Sequence, residues 1–408
     1  MKRLIVVGGG AAGFFGAITC AEAAPDTEVL ILEKGPEFLQ KVRISGGGRC
    51  NVAHACFDPR ELTRRYPRGE RELIGPYHRF HAEDAVRWFE SRGVKLKAEP
   101  DGRMFPVTDR SQTIIDCLLQ SARKAGVQMF TNRAVTSVSK SADGFLLTTS
   151  DGQSLPCSHL LLATGGARTP ALAALAVSLG HTLEPPVPSL FTFHIDVPWV
   201  KTLAGLSVPQ AGISVPAAKL RETGPFLFTH WGLSGPAILR LSAWGARELH
   251  SLNYTFPLHV NWTGQTESHV NERIAATAKA NPAKLILNAP PFPLPARLWT
   301  ALVTLAGIPS DLRWSSLSRA LHSNLLRTLT STELPVTGKS LNKDEFVTCG
   351  GVRLTEVNFK TMESKLMPGL HFAGELLDID GVTGGFNFQA AWTTGWIAGQ
   401  SIAAGLTT

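Results

Sequence analysis

Apolar positions along the first third of the chain alternate between short continuous runs and helical spacing. Residues 4–7 (Leu-Ile-Val-Val) predict a short buried strand. Residues 11–24, rich in alanine, predict a helix, and residues 28–33 (Glu-Val-Leu-Ile-Leu-Glu) a second strand. Strand, helix and strand in that order form a βαβ unit, which implies a parallel sheet. Further helices are predicted near 82–92 and 111–125. Residues 133–150 alternate as a hairpin would, with Asp143-Gly144 as its turn. Residues 159–163 form another apolar strand that runs into Ala163-Thr164-Gly165-Gly166.

The texture changes near residue 185. Pro185, Pro186, Pro188, Pro198, Pro209 and Pro216 punctuate short apolar runs, the pattern of a β-rich insert rather than a continued parallel sheet. Residues 266–332 turn helical, interrupted by a proline-rich patch at 290–295. Glycine-rich strand and turn texture returns from about 345. The last 24 residues form an apolar helix pattern after Gly384-Gly385.

Composition narrows the class. With 44% apolar and 18% charged residues, the chain of 408 residues reads as a soluble globular protein of two or three domains. No apolar run reaches the roughly 18 residues of a membrane span. Lys2 and Arg3 precede an apolar stretch ending near Ala23, but Gly8, Gly9 and Gly10 interrupt it, which argues against a signal peptide. A cytoplasmic location is expected. Six cysteines include no CxxC pair, and no His/Cys set has zinc spacing, so free thiols and no metal are expected. The net charge of +7 suits anionic ligands without choosing among them. Its densest stretch, Arg60, Arg64, Arg65, Arg68 and Arg71, reads as a solvated face. No RNA-binding motif accompanies it, and nucleic acid is not expected as a partner.

Three glycine clusters carry the chemistry. In VVGGGAAG (6–13), Gly8 permits the tight turn, Gly10 lets backbone approach a pyrophosphate, and Gly13 lets helix and strand pack closely. The helix start at Ala11 and Ala12 offers unpaired N–H groups to phosphate. Glu33, with Lys34 beside it, ends the second strand and suits the ribose hydroxyls of an adenosine, while repelling a 2′-phosphate. In SGGGRCN, Ser45, Gly46, Gly47, Gly48, Arg49, Cys50 and Asn51 suit backbone lying against a flat ligand or an anion, with Lys41 just upstream. In GLHFAGELLDIDGVTGGFN (369–387), a strand ends at Gly374-Glu375, Asp380 can bind hydroxyls, and Gly385, Phe386 and Asn387 open a helix whose N-terminus suits a flavin that gains charge on reduction. His230 in FTHWGLSGP is a candidate proton donor, and Arg103 in DGRMFP a candidate anion ligand. Cys50 and Cys56 are separated by five residues, one more than in the disulfide reductases, so a dithiol relay is the weaker alternative.

Taken in order, VVGGGAAG, SGGGRCN, DGRMFP, ATGG, FTHWGLSGP, VTCGGV, TMESK and GLHFAGELLDIDGVTGGFN resemble the BaiN/RdsA, or HI0933-like, family of bacterial NAD(P)/FAD-dependent oxidoreductases. The resemblance implies an α/β fold: a Rossmann-type FAD-binding domain (glutathione-reductase-like FAD fold) split by an inserted β-rich domain and a helical segment. The expected divisions are 1–187 and 345–408 for FAD, 188–265 for the β-rich insert and 266–344 for a helical insert that returns to the β-rich domain. It further implies that Gly8, Gly10, Ala12 and Gly13 contact pyrophosphate and Glu33 the adenosine ribose. Lys41 and Ser45 through Asn51 would flank the flavin, and Val135 would lie at adenine. Ala163, Thr164 and Gly165 would line a second strand end. Gly374, Glu375, Asp380, Gly385, Phe386 and Asn387 would wrap the ribityl chain and ring. One departure follows ATGG: residues 167–181 lack the family's second glycine-rich stretch and suit a helix, so substrate preference does not carry over.

The expected function is FAD-dependent hydride transfer between flavin N5 and a small or moderately apolar substrate, by enone-type reduction or amine or alcohol oxidation. NADH or NADPH would serve as a transient reductant. The alternatives are a flavin-containing, RNA-associated binding protein and a dithiol relay through Cys50 and Cys56.

Overall fold

A computed structural model describes residues 2–167, 170–340 and 347–407. The chain divides into two compact units, Met1–Ser189 with Asn342–Thr408, and Leu190–Leu341.

The first unit is built on the predicted βαβ start: β1 (Arg3–Val7), α1 (Ala11–Ala23) and β2 (Glu28–Leu32). Five parallel strands run in the order Gln128–Phe130, β2, β1, His159–Leu162 and Leu370–Phe372, and two short antiparallel strands extend the last edge. Leu4–Val7 of β1 and Leu160–Leu162 of its neighbour are apolar and buried because both faces of the sheet are covered there. One cover is the pairing of α1 with the C-terminal helix, Phe386–Thr407. A methyl group on Gly395 would lie 2.5 Å from the Ala12 carbonyl, and one on Gly399 2.5 Å from that of Gly16. The two helices therefore touch backbone to backbone. This contact fixes the last helix against the first although some 370 residues separate them in sequence.

The hairpin is Val135–Ser141 with Gly144–Thr149, and its register pairs Ser141 with Gly144. The turn is therefore Ala142-Asp143, one residue earlier than the sequence suggested. Residues 170–178 form a helix (Pro170–Ser178) in the segment that departs from the family pattern, while Arg168 and Thr169 lie outside the described residues. Ser45 to Gly48 are not simply a loop. The helix from Gln40 breaks at Ser45 (φ −64°, ψ 149°), and Gly46, Gly47 and Gly48 follow at positive φ (57°, 67° and 82°).

The second unit centres on a seven-stranded antiparallel sheet, in the order Thr332–Val336, Phe256–Asn261, Ser207–Val215, Leu220–Thr229, Gly232–Ser234, Thr192–His194 and Gly338–Ser340. Helices Glu267–Ala280, Ala296–Leu305 and Arg319–Thr330 pack on its core around Trp262, Trp299 and Phe228. The strand before the helical stretch pairs with the strand after it, Phe256 opposite Val336. The helices are thus an excursion from one sheet. No helix among the described residues is long and apolar enough to cross a membrane.

Candidate functional site

Strands of a parallel sheet point their carboxyl ends the same way, and open α/β sheets bind ligands at that edge. Here that edge gathers Gly8 after β1, Glu33 after β2, Ala163–Gly165 after His159–Leu162 and Gly374 after Leu370–Phe372. Ala163 N–H donates to Val7 O at 2.9 Å and Ala373 N–H to Leu162 O at 3.1 Å, which brings these ends level.

The β1–α1 turn is tight for a stated reason. A Cβ on Gly8, at φ 113°, would fall 2.3 Å from the Ala163 carbonyl, and one on Gly13 only 2.0 Å from that of Gly8. At Gly10 the same atom would meet nothing within 4 Å. Gly10 therefore borders open space at the start of α1, where no side chain caps the helix and no acid stands in the first turn. Uncapped N–H groups beside an open glycine fit a pyrophosphate.

Glu33 fits the adenosine end. Its two carboxylate oxygens accept from Gly9 N–H and Gly35 N–H, each at 2.8 Å, which fixes the side chain while leaving lone pairs for ribose hydroxyls. Lys34 beside it is exposed. Arg133 N–H donates to Glu33 O at 2.8 Å, and Val135 follows two residues on, half-buried at the start of the hairpin. Substituting Glu33→Ala removes charge-assisted bonds worth roughly 1.5–3 kcal/mol. FAD affinity should fall about tenfold to a hundredfold, read from titration of the apoprotein with FAD. An unchanged affinity would put the adenosine elsewhere.

The residues proposed for the flavin end gather too, with their polar groups used unequally. Gly47 and Gly48 border open space, as a flat ligand requires. In the amide orientation that satisfies its neighbours, Asn51 donates to the Ala53 and Met104 carbonyls and accepts from Gly385 N–H at 3.0 Å. It thus ties SGGGRCN to the start of the last helix. Lys41 pairs with Glu375, which also accepts from Thr348 N–H at 2.9 Å. Thr164 and Gly165 are half-buried beside the Gly8 turn. Asn387 closes a local ring: it accepts from Gly381 N–H at 2.8 Å and donates to Gly381 O at 2.9 Å. It shapes the turn.

Four expectations change. Asp380 does not present its carboxylate to a ligand. It is fully buried, accepting from Arg68 Nε at 2.5 Å, from a second Arg68 nitrogen and from Ser189 Oγ at 2.6 Å. Burial pushes this carboxyl up, and Arg68 and Ser189 draw it back. Arg68 is accordingly no part of a solvated basic face; its side chain is only 10% exposed. Arg49 does not await an anion: it bonds Glu99 at 2.6 Å and stacks on Phe105 with its guanidinium carbon 3.9 Å from the ring centre. The dithiol relay lacks its nucleophile. Cys50 is fully buried with its thiol pushed up to about 12 by burial, and burial also raises Cys56.

Of the catalytic candidates, Arg103 is held by Asp101 at 2.7 Å and Glu99 at 3.0 Å. His230 stands exposed on the turn between Leu220–Thr229 and Gly232–Ser234 in the second unit. Sequence reading passed over His54 and the two buried tyrosines. The His54 ring stacks on Phe386, with centroids 4.7 Å apart, and burial lowers its pKa. Tyr77 OH donates to Tyr66 OH and Tyr66 OH to Phe386 O, both at 2.5 Å. Single tyrosines in a helix-loop stretch carried no signal; their pairing needed the fold.

A Ser–His–carboxylate line also occurs, with His181 Nε2 2.9 Å from Ser364 Oγ and Nδ1 3.1 Å from Glu356. It is not a nucleophilic triad. Ser364 is buried and its oxygen already accepts from Leu366 and Met367 N–H groups.

Comparison with known proteins places the chain in a family. The profile of the HI0933-like protein Rossmann domain matches residues 2–401. A ribosomal RNA dihydrouridine synthase of Escherichia coli is 31% identical, covering 98% of both chains. A 3-dehydro-bile acid delta(4,6)-reductase of Clostridium scindens is 29% identical over 99% of both. Among solved structures, the 3-ketosteroid-delta4-(5alpha)-dehydrogenase of Rhodococcus jostii shares the fold, with a TM-score of 0.52 at 16% identity, covering 98% of this chain and 97% of that one.

Proposed function

This chain belongs to the HI0933-like Rossmann-domain family and is an FAD-dependent oxidoreductase, and from that premise we propose that it reduces a carbon–carbon double bond conjugated to a carbonyl. The observation that carries the cofactor half is the shared strand edge, where Gly8, Glu33, Ala163–Gly165 and Gly374 meet beside an uncapped helix. Support for the substrate half comes from the relatives. Dihydrouridine is uridine with the double bond next to its carbonyl reduced, and a 3-dehydro delta(4,6) steroid carries double bonds conjugated to its ketone.

FAD, when bound, supplies the hydride, and NADH or NADPH restores it. The chain binds and orients. Hydride on the carbon beta to the carbonyl leaves negative charge on the carbonyl oxygen, and a proton must then reach the alpha carbon. His230, exposed in the second unit, is the proposed source of that proton. Arg103 is a poorer source because two carboxylates already share its guanidinium. The Gly385 N–H is taken by Asn51, so the first turn of the last helix, after Gly385, would supply the partial positive charge for the reduced ring.

The test is anaerobic. The protein is reduced with NADH or NADPH and then mixed with a 4-en-3-one steroid, a uridine-containing RNA or a simple enone, while an amine and an alcohol are tested as reductants of the oxidised protein. The visible flavin band should return with at least one conjugated carbonyl compound, whose product carries two more hydrogens. Reoxidation by oxygen alone, with every organic compound unchanged, would sink the reading. In a compound that works, His230→Ala should slow reoxidation without changing FAD binding.

A further inference from the structure

We propose that the helical part of the Leu190–Leu341 unit is a docking surface for an RNA phosphate backbone. The proposal rests on the reading above only for the choice of polyanion. Its physical basis is charge. Residues 190–341 hold 13 Lys and Arg against seven Asp and Glu, a net of +6 out of the chain's +7. The larger unit, which holds the flavin site, is almost neutral. The charge is concentrated in an insert that contributes nothing to the Rossmann edge.

Within the insert the cations converge. Helices Glu267–Ala280 and Arg319–Thr330 lie antiparallel. Trp262 N–H bonds Leu329 O at 2.9 Å at one end, while Trp314 N–H bonds Lys284 O at 3.1 Å and Ser315 N–H bonds Pro282 O at 3.0 Å at the other. That second end collects Lys279 in the last turn of the first helix and Arg319 at the start of the second. Between them, Leu285 and Arg313 pair backbone to backbone, which sets Lys284 beside Arg313. The Arg313 guanidinium donates to the Ala283 carbonyl, so this group is held in place.

All four side chains belong to exposed residues. Among the described residues none of the four forms an ion pair with a carboxylate. Asp311 is the one acid within the 309–319 segment. By contrast, Lys201 is paired with Asp196 and Arg240 with Glu222 elsewhere in the same unit.

The chemistry of the surface selects its partner. A membrane-binding helix needs an apolar face beside its basic one. Here Val270 and Ile274 of the first helix, and Leu325 and Leu329 of the second, are buried in the unit's core. The large exposed apolar residues of this unit, Leu227, Trp231, Trp244 and Leu305, lie on other segments. A cationic end with no large exposed apolar residue on its segments suits a phosphate backbone, which is bound through charge and gives no sequence information. The Arg60–Arg71 stretch is the weaker candidate, because Arg68 is buried with Asp380 and Arg64 pairs with Glu61.

The experiment follows the anisotropy of a fluorescent ribosomal RNA hairpin bound by the full-length, FAD-loaded protein across a salt series. The test variant is Lys279→Gln/Lys284→Gln/Arg313→Gln/Arg319→Gln. A control removes equal charge from the larger unit with Lys95→Gln/Arg123→Gln/Lys124→Gln/Lys360→Gln. Losing four phosphate contacts should flatten the slope of log affinity against log salt by roughly 3 and weaken binding tenfold or more near 0.1 M salt. The control should keep both. Equal weakening by the two variants, or no binding by the native protein, overturns the proposal. So does tighter, charge-dependent binding to phosphatidylglycerol vesicles than to RNA. Flavin reoxidation by a small enone, measured on the same preparations, separates this from the reductase reading. A protein that reduces the enone but ignores RNA loses only the docking surface. One that binds RNA through these residues but reduces no conjugated carbonyl loses only the reductase reading.

Discussion

Gly13→Ala is expected to yield a colourless protein. The added methyl group would sit 2.0 Å from the Gly8 carbonyl, a backbone atom that cannot rotate away. The start of α1 must then lift from the β1 turn, carrying with it the N–H groups that would hold the pyrophosphate. Bonds to a charged group contribute roughly 1.5–3 kcal/mol each, so losing even two of them lowers FAD affinity a hundredfold or more. Overpacking at such a contact also costs about 1–3 kcal/mol of stability, so loss of colour alone would be ambiguous. Gly10→Ala resolves this. Gly10 has φ −96°, which alanine adopts freely, and its Cβ would meet no protein atom within 4 Å. That variant should melt like the native protein and still bind FAD more weakly, because the methyl group occupies space left for ligand. Thermal unfolding of the apoproteins and calorimetric titration with FAD give the two quantities. Full FAD retention by both variants would mean that the pyrophosphate does not lie at this turn.

Arg68→Ala is expected to be the most destabilising single change in the larger unit outside its apolar core. Asp380 is 0% exposed, and its carboxylate would lose its countercharge in a place water does not reach. Breaking one partner of a buried pair typically costs about 3–5 kcal/mol. The pair itself need not be stabilising, since an apolar replacement of both residues can equal it. Arg68→Met/Asp380→Leu should therefore recover most of the loss in urea unfolding, and a double variant as unstable as the single one would refute the account.

A pH signature accompanies the loss. Without Arg68, burial and the nearby Asp378 charge are opposed only by the Ser189 hydrogen bond, and the folded pKa of Asp380 rises further above the unfolded value of about 3.9. The folded state then binds more protons than the unfolded one between those two values, so stability falls as pH rises through that window. The deficit of Arg68→Ala relative to the native protein should be smaller near pH 4 than near pH 8. A deficit independent of pH would show that Asp380 stays ionised without its partner.

Much of the larger unit was legible along the chain because its signals are local. Apolar runs at 4–7, 28–33 and 159–163 met the pattern of strands covered on both faces, and they are neighbours in one parallel sheet. Gly8, Gly10 and Gly13 could be assigned separate duties from spacing alone, because a βα turn of that type is a local object. The mixed α/β class followed from the same runs. The helix after Gly385 was legible from its apolar pattern, and its docking on α1 follows from small residues at 395 and 399.

The polar groups were another matter. A carboxylate near a glycine turn reads the same whether it faces a ribose or a buried arginine. Glu33 and Asp380 were given similar duties on equal sequence grounds. Glu33 is fixed by two N–H groups from within its own turn region and keeps an open side. Asp380 is consumed by Arg68, 312 residues away, and by Ser189. Arg49 and Arg68 are alike in this: each looked free until the fold delivered its partner.

The chain by itself determined the βαβ opening, the glycine turn and the acid that closes β2, because each depends on residues a few positions apart and on backbone sterics. Only the tertiary structure decided which charges are spent and which remain. Desolvation and ion pairing act between groups that the fold brings together, and no local pattern records them. By that rule Arg68, central to the densest basic stretch, is an interior residue, while Lys279, Lys284, Arg313 and Arg319, scattered over forty positions, share one exposed end of a helix pair.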